Sequence, residues 1–189
     1  MTEHFISTLI VEGSKEDIDK FYNDFRASAV LVKGREALCI CQYVDPLPPF
    51  IFSCKGCVHK GEQRPLTHRE QQILDQSMSY MRDYWGVTKM CQDGRLRRIN
   101  DNKAEFRYWT PRDPVADRIL ILLHNKHPNT RITLTGYNEL FPEIDHVEKE
   151  LPRDFPIVDE EKLNKLYENS YQKRYERFVT MFAKSQGCE

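Results

Sequence analysis

The stretch K-A-E-F-R-Y-W-T-P-R-D-P-V-A-D-R-I-L-I-L-L-H-N-K-H-P-N-T-R-I-T-L-T-G-Y-N-E, Lys103 to Glu139, holds two strand patterns with a helix pattern between them. Its first part alternates, placing Ala104, Phe106 and Tyr108 on one side and Glu105, Arg107 and Trp109 on the other. Thr110 and Pro111 stop that strand. Asp113 then reads as an N-cap with Pro114 at the first helical position, and Val115, Ile119, Leu122 and Leu123 recur as one buried helix face. Pro128 ends the helix, and Arg131 to Tyr137 alternates again with Ile132 and Leu134 inward. The unit is strand, helix, strand.

Upstream, Phe5 to Val11 is a short apolar strand closed by Glu12 and Gly13. Ser14 and Asp17 have the spacing of a capping box, followed by Ile18, Phe21, Tyr22 and Phe25 along one helical face. Val30 to Val44 is ambiguous: A-L-C-I-C-Q-Y-V fits a strand or an extended edge, and D-P-L-P-P-F closes it. A basic loop runs from Phe52 to Arg69. Thr67 and Glu70 then cap a helix of about five turns, marked by Ile73, Leu74, Ser77, Met78, Met81 and Trp85 and ending near Gly86. Val87 to Cys91 reads as a strand and Asp93 and Gly94 as the start of a turn, so Arg95, Arg97 and Arg98 are expected on the long basic tip of a hairpin.

Beyond Tyr137, residues 140–160 are rich in acidic residues and proline and read as a solvated connector. An amphipathic helix is expected over Glu161 to Lys184, with Leu163, Leu166, Tyr167, Tyr171, Tyr175, Phe178 and Phe182 along one stripe; within residues 161–189 it packs back on the domain. Setting aside residues 52–84 as an inserted loop and helix, residues 1–139 give strand, helix, strand, strand, helix, strand. That is the ferredoxin-like order of an α+β antiparallel sheet with two helices on one face.

The 189 residues carry a net charge of −1 and are 40% hydrophobic and 30% charged. Such a balance supplies no global field toward nucleic acid or anionic lipid. No apolar run approaches the ~20 residues of a membrane span, and the opening lacks a signal peptide's basic flank and long apolar core. A cytoplasmic protein is expected, its six cysteines reduced or bound to metal.

Several motifs resemble a known family. F-I-S-T-L-I-V-E-G, the D-P-L-P-P segment, Y-W-G-V-T-K-M, F-R-Y-W-T-P-R-D-P and R-I-T-L-T-G-Y-N-E occur in order over roughly residues 4–139. They resemble the YubB-type ferredoxin-like domain of plasmid and phage proteins. Trp85, Gly86, Thr88 and Lys89 fit one family block with Val87 inserted, and Trp109 and Pro111 fit another. Met90 stands where the family has a second tryptophan, and the family-style ending is replaced by the acidic connector and the last helix. The resemblance implies a mobile-element origin and a bacterial host cell, and carries over no catalytic residue.

Three kinds of site are weighed. Cys54 and Cys57 have the two-residue gap that lets both thiolates reach one zinc, Gly56 permits the tight knuckle, and His59 is close by. Cys39, Cys41, His68 or Cys91 would have to complete the set, and otherwise these are ordinary reduced cysteines. Trp109, Tyr137, Arg107 and Arg131, rimmed by Arg95, Arg97 and Arg98, offer an aromatic and basic surface for single-stranded nucleic acid, provided neither extra helix covers the outer sheet face. For catalysis, His124 and His127 lack a carboxylate partner and fit a solvent-facing helix terminus, and no nucleophile elbow, Walker loop or dinucleotide fingerprint occurs.

The expected function is a non-catalytic accessory protein that binds and inhibits a host protein, with defence factors as one class of target. The basic loop residues Lys55, Lys60 and Arg64 join Arg95, Arg97, Arg98, Trp109 and Tyr137 as partner-binding candidates. The alternative is a nucleic-acid-binding module steadied by structural zinc. Neither a membrane nor a small-molecule substrate is indicated.

Overall fold

The computed structural model describes residues 4–32, 35–46, 75–76, 78–87, 92–111 and 114–168. Within them the chain is α+β. One antiparallel sheet has the strand order β4-β5-β1-β6-β7, and a two-stranded ribbon, β2-β3, stands apart from it.

Strand β1, His4–Glu12, is the centre of the sheet, paired with β5, Lys103–Pro111, on one side and β6, Arg131–Asn138, on the other. Its alternation sends Phe5, Ser7, Leu9 and Val11 inward. Helix α1, Lys15–Ala27, begins with the expected capping box, the Ser14 hydroxyl accepting from the Asp17 amide while the Asp17 carboxylate accepts from the Ser14 amide. It buries Ile18, Phe21 and Phe25. Helix α3, Asp117–Lys126, buries Ile119, Leu120, Leu122 and Leu123. Both helices share one core with Phe106, Tyr108, Ile132 and Leu134, so they lie on the same side of the sheet. No helix among the described residues is long and apolar enough to cross a membrane.

Several local expectations are corrected. Val30–Val32 (β2) and Arg35–Ala37 (β3) form a short hairpin, and Ile40–Val44 is the helix α2. The Cys39 and Cys41 thiols are therefore not on one strand face; both are buried in the core. The arginines Arg95, Arg97 and Arg98 do not sit on a hairpin tip. They lie within strand β4, Gln92–Asn100, whose turn to β5 is at Asp101 and Asn102. The Asp93 and Gly94 pair that suggested a turn is instead a bulge between the paired positions Gln92 and Arg95, with Asp93 at φ 50°. A side chain at Gly94 would run into the Leu38 carbonyl and lie 2.7 Å from the Phe106 ring, so only glycine lets the strand close on its neighbours there.

Helix α3 starts three residues later than Pro114 suggests. The Ala116 amide donates to the Trp85 carbonyl at 2.8 Å, which holds Ala116 extended as the N-cap. Residues 78–80 are helical and continue into a π-helical turn, Met81–Trp85, that ends where expected, at Gly86 in the left-handed region (φ 76°). Residues 75–76 are helical as well, and the remainder of the helix expected from Thr67 lies outside the described residues. In the acidic connector, residues 146–151 form a fifth strand, β7, His146–Leu151, on the free edge of β6. Its alternation, exposed then half-buried, is that of an edge strand facing water on one side. The helix expected over Glu161 to Lys184 is broken early: helix α4, Glu160–Tyr167, buries Leu163 and stops at Glu168, whose ψ of 124° is not helical, and the remainder of that expectation lies outside the described residues. Helix α4 packs on α3 and the π-helical turn, on the helical side of the sheet.

Candidate functional site

Period-two geometry sends every second residue of the five strands to the face away from α1 and α3, and the pairing register aligns these residues in rows across the sheet. One row runs Trp109, Ile6, Tyr137, His146 from β5 to β7. The next runs Arg95, Arg107, Thr8, Thr135, Glu148 from β4 to β7. A third runs Arg97, Glu105, Ile10, Thr133, Glu150. Among the described residues no helix covers this face, since α4 and the π-helical turn both sit with α3. Trp109 is half-buried and Tyr137 is 40% exposed. Between β1, β6 and the turn before β7 lies an open depression of about 350 Å³, lined by Ile6, Thr8, Thr135, Tyr137, His146 and Glu148 among others.

Trp109 is fixed rather than loose. Its indole N–H donates to the Asp93 carboxylate at 2.9 Å, and the His4 ring lies on it at 4.2 Å between centroids. His4 Nδ1 in turn is 3.1 Å from Glu139 Oε2. The bulge at Asp93 therefore aims a carboxylate at the indole, which holds the ring in place at little entropic cost on binding. Charge on this face is polarised. Arg97 pairs with Glu105 at 3.0 Å, and Arg131 grips Glu150 in two hydrogen bonds, 3.0 and 2.7 Å, which hold the Glu150 carboxyl below its usual range. Arg95, Arg107 and Glu148 make no ion pair among the described residues. The β4 edge is thus basic and the β7 edge acidic.

The candidate residues separate accordingly. Arg95, Arg97, Trp109 and Tyr137 come together on the outer face. Arg98 does not: it points to the helical side and pairs with Asp19 of α1 and with Asp101, so it ties a helix to the sheet. Lys55, Lys60, Arg64 and the proposed zinc ligands Cys54, Cys57 and His59 lie outside the described residues. Among those described, no group of three or more His, Cys, Asp or Glu side chains is placed to hold a metal ion.

The two α3 histidines do not face solvent. His124 and His127 are both buried. His124 Nε2 meets the Phe155 carbonyl at 2.9 Å, and His127 Nε2 meets the Tyr43 hydroxyl at 2.6 Å among Phe21, Phe25 and Tyr43. Burial pushes His127 down to about 4 and the Tyr43 phenol up, so the pair is neutral at pH 7.

A polar cluster that the sequence reading missed lies beneath α3. Arg118, fully buried, donates to Asp45 at 2.6 Å and to Asn164 through Nε and Nη2 at 2.9 and 2.7 Å, with the Tyr84 ring 5.1 Å from its guanidinium carbon. Trp85 Nε1 and the Tyr80 hydroxyl also donate to Asp45, each at 2.9 Å. Every oxygen and nitrogen named here has a partner, which makes the cluster a lock between α2, the π-helical turn, α3 and α4. A signal was present: Arg118 falls three residues after Val115 and four before Leu122, on the apolar stripe.

No family model matches this sequence, and no curated protein is similar to it. A solved structure, a protein api92 from Yersinia pseudotuberculosis of the family model DUF1281, is similar at 9% identity over 80% of this chain and 99% of that one, with a TM-score of 0.39. A likeness at that level adds nothing to the fold read from the strands.

Proposed function

We propose that this chain is a non-catalytic accessory protein of a phage or plasmid that acts in the bacterial cytoplasm, binding and inhibiting a host protein through the outer face of a ferredoxin-like sheet. The observation that carries the reading is the row Trp109, Ile6, Tyr137 lying beside Arg95 and Arg107, which have no ion-pair partner among the described residues. Aromatics and arginines in the open centre of a face are the residues that dominate protein interfaces. The ferredoxin-like assignment is supported by β1 lying between β5 and β6 and by α1 and α3 sharing one side, with β7 added at an edge. The mobile-element origin is supported by the motif resemblance alone.

Single-stranded nucleic acid is the second reading, favoured by the adjacency of Arg95 and Arg107 to Trp109. Glu105, Glu148 and Glu150 on the same face oppose a phosphate backbone. A tagged pull-down from host extract, with and without nuclease, tests both. One host protein retained after nuclease by the native chain, and lost on combining Trp109→Ala with Tyr137→Ala, is the expected result. Capture that disappears with nuclease, and binding to oligonucleotides that falls steeply with salt, would transfer the assignment to the second reading.

A further inference from the structure

The outer face is apolar along one row and oppositely charged at its two edges, with β1 the middle of the five strands between them. We infer that the partner it fits in the isolated protein is a second copy of the same chain, packed sheet on sheet about a two-fold axis running along β1. The inference rests on the proposed reading of this face as a docking surface, and a host protein using the face must displace the second copy.

The geometry follows from the register. Rotation about an axis parallel to the strands keeps each row at its height and reverses the strand order, so β4 faces β7 of the other copy, β5 faces β6, and β1 faces itself. In the first row Trp109 meets Tyr137 across the axis, and Ile6 meets Ile6. In the second row Arg95 arrives at Glu148 and Arg107 at Thr135 one strand away, so Arg95 and Glu148, which make no ion pair among the described residues of one copy, meet as opposite charges across the axis. In the third, Arg97 joins Glu150, and Ile10 meets Ile10. The depression bordered by Ile6, Tyr137, His146 and Glu148 lies opposite Trp109 and receives it.

An axis perpendicular to the strands fails, because it sets Arg95 on Arg95 and Glu148 on Glu148. Aligned sheets pack about 10 Å apart at roughly 30°, a separation and offset that arginine side chains span. Five strands 4.8 Å apart and about eight residues long give a footprint of roughly 600 Å², approaching the ~800 Å² per partner of a standard interface.

Sedimentation equilibrium of the full chain over a concentration series is the test. The expected mass at high concentration is twice the 22.4 kDa of the chain. Glu148→Arg, and separately Arg95→Glu with Arg107→Glu, should each weaken the dimer at least about tenfold by setting like charges together. Mixing the two variants should restore a heterodimer close to native strength, because each of its two Arg95–Glu148 contacts then joins opposite charges. These side chains are exposed, so unchanged far-ultraviolet circular dichroism verifies the fold of the variants.

A chain that stays monomeric throughout overturns the inference, as does a dimer indifferent to the substitutions or one that mixing fails to restore. The parallel pull-down separates this outcome from the parent reading. A monomer that still captures a host protein through Trp109 loses only the dimer. A dimer whose host capture ignores Trp109→Ala moves the host contact off this face.

Discussion

Arg118 shows what a single residue can demand of a fold. A guanidinium with no exposure to water is tolerated only because Asp45 supplies the opposite charge and Asn164 accepts its remaining hydrogen bonds. Asp45→Ala strands that charge and orphans the Trp85 and Tyr80 donors, and should cost about 3–5 kcal/mol in urea unfolding. Asp45→Asn keeps an acceptor and should cost distinctly less. His127 makes a second prediction at this scale. Its folded value lies near 4, below the ordinary 6.5, so the unfolded chain binds more protons between those limits. Its contribution to stability is fully present above about pH 6.5 and is lost as pH falls toward 4, with about 3 kcal/mol at stake. Denaturant midpoints at pH 7 and pH 4.5 should therefore differ, and His127→Asn should flatten the difference. Neither residue's partner was legible in the sequence, because Tyr43 and Asp45 are joined to α3 by tertiary packing and no local pattern encodes that distance. Burial of His127 overrode the dipole argument that would have left it at a wet helix end.

At the scale of elements, strands and helices with a strong signal were readable: β5 and β6 from alternation with their inward residues, β1 from its apolar run, and α1 from its capping box and apolar face. Short or charged elements were not. β4 is one-third arginine on a strand whose one face is solvated, and its start is disguised by a bulge with turn-like residues. β7 reads as charged connector because only Val147, Lys149 and Leu151 turn inward, and Lys149 spends its charge on Asp117 of α3. The stop of the π-helical turn was legible, and it is testable. Gly86→Ala forces a Cβ into a left-handed position and within 2.8 Å of the Ala116 amide nitrogen, which should destabilise the protein by about 2 kcal/mol or more in thermal or chemical unfolding. Trp85 and Ala116 are joined by that same turn, so the damage should spread to the start of α3.

For the whole molecule, the alternation of the sheet predicted which side chains face outward, whereas the placement of the last helix decided whether they would stay there. With α4 on the helical side, no helix among the described residues covers Trp109 and Tyr137, and the polarity of their face emerges only when β4 and β7 take the two edges. On the proposed reading, removing the Trp109 and Tyr137 rings together should abolish host retention, a loss of about 2–4 kcal/mol at an interface centre. The position of β1 has one more consequence. Of the sheet's five strands, the first to leave the ribosome is the one that must end in the middle, between Pro111 opposite His4 and Asn138 opposite Phe5. At ~5–20 residues per second, β1 waits on the order of ten seconds for its second neighbour, with at least one backbone edge open to any other strand in reach. Synthesis speed and chaperone access through that interval should govern the yield of native protein more strongly than they do for a fold built from neighbouring hairpins.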